Sequence, residues 1–234
     1  MKKKIIQSHR SVIFLNGILP DKKILKCINP SAKLISADGA YYKMEKAYDL
    51  IPDFIIGDGD SKTFEKKSSK SKVIKIPNQN LTDFEKCLLF AKEKNIVPSL
   101  ILGINGGEID HIFGNVLAML KHFEKDSFFF LDTFENDNDQ IGIKFGMPIS
   151  KGKINIKLRK KSKISFLILS DVVLSTKGLK WELDNSHLKL DGTMPIRNEN
   201  TSKEISIDIK NGKAMLVLDV SDFLQSLEIS FDKT

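Results

Sequence analysis

Cysteine is nearly absent from this chain. Two of them, Cys27 and Cys87, in 234 residues make no disulfide framework, and they read as reduced thiols in a cytoplasm. Arginine is as scarce, with Arg10, Arg159 and Arg197 the only ones among 37 basic residues. Sequence-specific nucleic-acid readers lean on arginine forks and aromatic stacking. The formal charge of +7 therefore describes a solvated lysine surface better than a nucleic-acid interface, and it also suits attraction of an anionic small molecule. Long apolar runs are missing too. Stretches such as Val12 to Leu15 fall far short of the roughly 20 residues that cross a bilayer. The start, MKKKIIQSHR, imitates a signal peptide, but Gln7, Ser8, His9 and Arg10 interrupt the apolar run, so a tail leading into a strand is expected. What is plentiful, 41% apolar and 29% charged residues, is the composition of a globular protein. The length accommodates two domains, with a core that needs no covalent staple.

The first 135 or so residues alternate strand-like and helix-like segments. Strands are expected at Val12 to Leu15, Lys33 to Ala37, Phe54 to Gly57, Lys72 to Ile76, Leu100 to Ile104 and Phe128 to Leu131. Most are short β-branched or aromatic runs ending in Gly, Asp or Asn, as buried parallel strands do. The capping box Thr82-x-x-Glu85 opens a helix with Phe84, Cys87, Leu88 and Ala91 on one stripe. A second stripe runs from Ile109 through Ile112, Phe113, Val116, Leu117 and Leu120. After Gly146-Met147-Pro148 the texture changes to period-two alternation, with Ile154, Ile156 and Leu158, then Ile205, Ile207 and Ile209. Lys163 to Leu169 and Ala214 to Asp219 are further strand candidates, and Asn211-Gly212 reads as a hairpin turn. The expected fold is an α/β N-terminal domain with a mostly parallel sheet over residues 1–146, followed by an all-β, sandwich-like C-terminal domain over 147–234.

Four acidic segments fall where the expected α/β strands end: Ala37-Asp38-Gly39, Gly57-Asp58-Gly59-Asp60-Ser61, Leu81-Thr82-Asp83 and Gly106-Gly107-Glu108-Ile109-Asp110-His111. Ligands of open α/β sheets bind outside the carboxyl ends of the strands, which would gather Asp38, Asp58, Asp60, Asp83 and Asp110 around one cleft. Carboxylates so packed repel each other unless something cationic sits among them, and hard oxygen ligands suit Mg²⁺. Each acid alone also reads as a helix cap or turn former, and Asp83 as an ion-pair partner of Lys86 three residues on. The Gly106-Gly107 turn fits a strand-to-helix connection whose N–H groups face an anion.

In combination these segments resemble the thiamine pyrophosphokinase family. They appear here as ADGAYYK from Ala37, PDFIIGDGDS from Pro52, NQNLTDFEKCL from Asn78 and GINGGEIDHIFGN from Gly103, with STKGLKWEL from Ser175 and the stretch Gly192 to Asn200 in the second half. The resemblance covers nearly the whole chain. It implies transfer of a pyrophosphoryl group from ATP to the thiamine hydroxyl, with Asp58, Asp60 and Asp83 as the Mg²⁺ set and Asp38 and Asp110 as supporting acids. It further implies nucleotide contacts from Gly106, Gly107, His111 and Asn115, and a thiamine pocket that includes Trp181 and Asn198. It also implies a homodimer whose thiamine site lies between the α/β domain of one chain and the β domain of its partner.

Trp181, the lone tryptophan, reads equally as a core aromatic, and His111 as a helix-start histidine bonded to backbone. The chain departs from the family pattern at Gly59, Asn78, Asn80, Glu108 and Arg197. Glu108 and Arg197 keep a second expectation open, a nucleotide- and Mg²⁺-binding sensor without turnover; the third, a lysine-rich nucleic-acid-binding protein, has little support.

Overall fold

The computed structural model describes residues 5–59, 70–124, 127–135, 141–158, 161–220 and 227–231. Two compact units divide the chain, one formed by His9–Asp132 and the other by Thr133–Thr234 with the N-terminal segment through Ser8.

The first unit carries a parallel sheet. Its strands β1 (Ser11–Phe14), β2 (Lys33–Ala37), β3 (Phe54–Gly57), β4 (Lys72–Lys75), β5 (Ser99–Leu102) and β6 (Phe128–Glu135) lie in the order β4-β3-β2-β1-β5-β6, each neighbouring pair parallel. Every residue of β1 and β5 is buried, as in strands covered on both faces. Ser11 and Ser99 face each other across that pair, and their hydroxyls satisfy one another at 2.8 Å, the usual requirement for polar groups in a core. All six expected strands are present, Lys33–Ala37 and Phe54–Gly57 with the expected bounds and the other four with one or both ends moved by one to a few residues.

Among the described residues three α-helices lie between the strands: α1 (Tyr41–Tyr48), α2 (Asp83–Glu93) and α3 (Ile109–Lys121). α2 packs against β2 and β3. It opens with the expected reciprocal cap, in which the Glu85 N–H donates to Thr82 Oγ1 at 3.2 Å and the Thr82 N–H donates to Glu85 Oε2 at 3.0 Å. The apolar stripe of α3 does not all turn inward. Ile109, Phe113 and Leu117 are 74%, 56% and 48% exposed, whereas Ala118, Met119 and Leu120 are buried. Helical spacing located a stripe, but its two edges face different surroundings.

The second unit is antiparallel and strand-rich. Its long strands β7 (Ile141–Lys157) and β12 (Glu204–Val220) pair along almost their whole length. Between them in sequence come β8 (Lys163–Leu167), β9 (Val172–Lys177), β10 (Ser186–Leu188) and β11 (Asn198–Glu199), and β13 (Glu228–Phe231) follows. β12 also pairs with β9 through its first half and with β8 through its second, and β13 adds to the other edge of β7. Ile154, Ile156, Ile205, Ile207 and Ile209, alternating in the sequence, are all buried. Asn211-Gly212 is not a hairpin turn. Residues on both sides of it pair with the same strand, Ile209 with Gly152 and Lys213 with Ser150, and the register shifts between them. The chain therefore runs straight on and absorbs the extra residues as a bulge.

Candidate active site

Strand order reverses at the β1–β5 boundary, where the chain steps out through β2, β3 and β4 on one side and through β5 and β6 on the other. Such reversals are where open α/β sheets bind ligands. Backbone bonds tie the two loops that leave there. The Leu15 N–H donates to Leu102 O at 2.9 Å, and the Ile18 N–H donates to Asn105 O at 2.6 Å. Lys43, from α1, braces the first loop by donating to Asn16 O at 2.5 Å. Beside this crevice, Asp38 follows β2, Asp58 follows β3, and Asp83 starts the helix after β4.

Two of these acids meet at a buried cation. Lys86 Nζ lies 2.9 Å from Asp83 Oδ1 and 4.0 Å from Asp58 Oδ2, and the lysine side chain is only 2% exposed. Gln79 Nε2 donates to the same Asp58 oxygen at 3.1 Å. Asp83 keeps 37% of its side-chain surface in solvent, so the cluster is buried at its lysine and open at its carboxylates. Asp38 is buried and packs against β3 so closely that a Cβ on Gly57 would stand 2.6 Å from its own Cβ. Gly59, with φ of 89°, faces Lys75, whose Cε would lie 2.8 Å from any added Cβ. A side chain there would be strained in backbone and would push the lysine aside. Asp60 lies outside the described residues.

Gly106 and Gly107 both take left-handed φ angles, 81° and 84°, in the loop before α3. Asp110 is exposed and accepts the His111 backbone N–H on Oδ1 at 2.7 Å. The bond comes from the His111 main chain, not from its imidazole as the bonded-histidine reading expects, and His111 is exposed. Asn115 Nδ2 is 3.4 Å from Ile104 O, a long bond back to the same loop. Asp110, His111 and Asn115 bond within their own helix and the loop before it.

The start of α2 is anchored from a second helix. Glu85 Oε1 accepts Lys121 Nζ at 2.8 Å and pairs with His122 Nε2 at 2.9 Å, while its Oε2 serves the Thr82 cap. Burial pushes the Glu85 carboxyl up, but the hydrogen bonds from Lys121, His122 and the Thr82 N–H outweigh it and hold the group down at about 2. Elsewhere burial pushes the Cys27 thiol up to about 12 and that of Cys87 higher still. Both cysteines are unpaired.

In the antiparallel unit Trp181 and Asn198 are brought together. Trp181 is 58% exposed, so it is not a core aromatic. Its loop is held from within by Glu182, whose Oε1 accepts the Gly178 and Leu179 N–H groups at 2.6 and 3.0 Å. Asn198 Oδ1 accepts the Trp181 N–H at 3.2 Å, and Asn198 Nδ2 donates to Trp181 O at 2.7 Å. Lys180 Nζ stands 4.6 Å from the centre of the indole. Arg197, next to Asn198, has φ of 54°; its N–H donates to Ser165 Oγ at 2.9 Å, and its guanidinium is 3.9 Å from Asp219.

Among the described residues no three His, Cys, Asp or Glu side chains lie close enough to hold a metal. Asp58 and Asp83 are nonetheless two hard oxygen donors already gathered around a positive charge, and one or two carboxylates are what Mg²⁺ takes when phosphates and water complete its shell. The donor set fits such an ion. The Asp83–Lys86 ion pair expected from the sequence is present, whereas the approach of the same lysine to Asp58 and the part played by Gln79 were not foreseen. The three-residue step from Asp83 to Lys86 was a readable signal for the pair; the burial of the lysine was not.

Comparison with known proteins follows the same division of the chain. The family model described as "Thiamin pyrophosphokinase, catalytic domain" matches residues 24–130, and "Thiamin pyrophosphokinase, vitamin B1 binding domain" matches residues 151–214. The chain is 30% identical to the thiamine pyrophosphokinase of Bacillus subtilis over 158 residues, covering 64% of this chain and 70% of that one. It is 21% identical to thiamin pyrophosphokinase 1 of Caenorhabditis elegans, covering 76% and 75%. The crystal structure of the Bacillus subtilis enzyme superposes with a TM-score of 0.72 at 22% identity, over 91% of this chain and 100% of that one.

Proposed function

The chain belongs to the thiamin pyrophosphokinase family, and on that premise we propose that it moves the terminal pyrophosphoryl group of ATP onto the hydroxyl of thiamine. The thiamine oxygen attacks the β-phosphorus, the bond from that phosphorus to the α,β-bridging oxygen breaks, and AMP leaves with the electron pair. The hydroxyl proton passes to an acceptor among the cleft carboxylates. Thiamine diphosphate and AMP are the products.

The observation that carries this reading is the meeting of Asp58 and Asp83 at the buried Lys86, beside the strand reversal. Asp58, Asp60 and Asp83 are the proposed holders of Mg²⁺, with Asp38 and Asp110 as supporting acids. When bound, the ion would supply positive charge to the phosphate oxygens on which negative charge gathers. Lys86 keeps the two aspartates at one place before any substrate arrives, so their geometry does not have to be found during the reaction. Gly106, Gly107, His111 and Asn115 are proposed to face the nucleotide. Their support is the left-handed turn at the start of α3, where backbone N–H groups suit phosphate.

Residues 1–146 are proposed as the nucleotide- and metal-binding domain and 147–234 as the thiamine-binding domain. The exposed Trp181 indole supports the second assignment, since it already draws the Lys180 ammonium by the attraction a cationic thiamine would use. A homodimer is supported by Ile109, Phe113 and Leu117, which put an apolar stripe on the outside of α3. The unpaired cysteines accord with a cytoplasmic enzyme, and no helix among the described residues is long and apolar enough to cross a membrane.

The decisive experiment incubates the protein with ATP, Mg²⁺ and thiamine and separates the products. Stoichiometric AMP and thiamine diphosphate are expected; ADP with thiamine monophosphate, or no turnover, would overturn the reading.

A further inference from the structure

We propose that Asn198 is a positioning residue which clamps the main chain of Trp181 and so fixes the indole for thiamine, rather than a residue that touches thiamine itself. This rests on the reading that Trp181 receives the substrate. Asn198 is only 3% exposed, and the polar atoms of its side chain are engaged. Oδ1 accepts two N–H groups, from Trp181 at 3.2 Å and from Glu199 at 2.8 Å, which uses both carbonyl lone pairs. Nδ2 donates to Trp181 O at 2.7 Å. Donor and acceptor of one amide thus grip the N–H and C=O of one residue, as a neighbouring strand would.

The grip extends along the chain. The Lys180 N–H donates to Glu199 O at 2.8 Å, and Leu179 bridges Asn200, so the tryptophan loop is laid against β11 at three successive residues. Arg197 supplies the approach. Its left-handed φ of 54° is uncommon for a residue with a side chain, and the bond from its N–H to Ser165 Oγ holds the turn that leads the chain into β11. An exposed aromatic on a loop would otherwise lose torsional freedom when a ligand stacks on it, and a fixed main chain removes part of that cost.

The test uses the fluorescence of Trp181, the lone tryptophan, in the full-length protein. Asn198→Asp keeps the shape but sets a carboxylate oxygen against Trp181 O, and Asn198→Ser removes the reach. Asn29→Asp is the control, because the Asn29 side chain bonds His9 O and the Ser31 N–H, away from the tryptophan loop. Without ligand, both Asn198 variants should show lower emission anisotropy than the parent, and the control should not. Thiamine should bind about tenfold more weakly to them, the loss expected for one buried hydrogen-bonding group, with the KM for ATP unchanged.

Weaker thiamine binding at unchanged anisotropy would make Asn198 a direct ligand and overturn the proposal. Unchanged anisotropy with unchanged binding would overturn it too, and so would loss of folding in both variants, since a clamp on an exposed loop is not a folding requirement. If Trp181→Ala leaves thiamine affinity intact, the assignment of thiamine to Trp181 fails. The anisotropy of the Asn198 variants still decides the clamp.

Discussion

Lys86 Nζ and Asp83 Oδ1 lie 2.9 Å apart on adjacent turns of α2, with the lysine 2% and the aspartate 37% exposed. The pair is asymmetric. The cation is sealed in protein while the carboxylate reaches solvent, and a second acid, Asp58, approaches the same nitrogen. Such an arrangement concentrates negative charge at the surface of the crevice and keeps its compensation inside.

Lys86→Met should therefore be more harmful than a surface lysine substitution. Leaving Asp58 and Asp83 without their common cation should cost about 3 kcal/mol, the lower end for breaking a buried pair because both acids retain water. Chemical denaturation measures it. A loss within about 0.5 kcal/mol, the size of an ordinary surface change, would mean that the lysine does not hold the cluster.

Asp58→Asn and Asp83→Asn should each remove nearly all pyrophosphoryl transfer while the protein stays folded, since an amide keeps the shape and lacks the charge. Product formation and circular dichroism together read the outcome. Asp60→Asn belongs in the same series. Full turnover in all three variants would move the reaction elsewhere.

Trp181→Ala should weaken thiamine binding by roughly 1–3 kcal/mol, from the aromatic-pair contribution up to lost apolar contact. Nucleotide affinity should not change. Because the indole is 58% exposed, thermal stability should hardly move, with ΔΔG within about 0.5 kcal/mol. Calorimetric titration with each ligand separates the effects, and a variant that melts much earlier with normal thiamine affinity would make the residue structural.

Glu85 sets a pH dependence. Its carboxyl is held at about 2 in the folded chain against an ordinary 4.5. The unfolded state therefore binds more protons between those values, and stability falls as pH falls through the folded value. The contribution is complete above the ordinary value. Comparing melting temperatures of the parent and Glu85→Gln, the parent should be the more stable at neutral pH, and the gap should close on acidification toward pH 2. A gap independent of pH would mean that the charge of Glu85, held by Lys121 and His122, is not what ties α2 to α3.

The six parallel strands, the cap at Thr82 and the alternating isoleucines of β7 and β12 were all legible from residue order. Each is a local pattern: a short β-branched run, a hydroxyl three residues before a glutamate, a period of two. Asn211-Gly212 shows where local chemistry stops. That dipeptide favours a hairpin in isolation, but Ile209 and Lys213 both have partners waiting on β7, and continuing the ladder satisfies more backbone groups than turning back.

The sequence by itself determined the six parallel strands and the helices α2 and α3 in their order and placed the acids at strand ends, because those follow from spacing along the chain. The acidic motifs also determined the family. Only the tertiary structure decided that Lys86 is sealed between Asp58 and Asp83, that Ile109, Phe113 and Leu117 face outward, and that Trp181 stands exposed in the grip of Asn198. Burial and orientation depend on which distant segments pack together, and side-chain periodicity is the same whether a face meets a core or water.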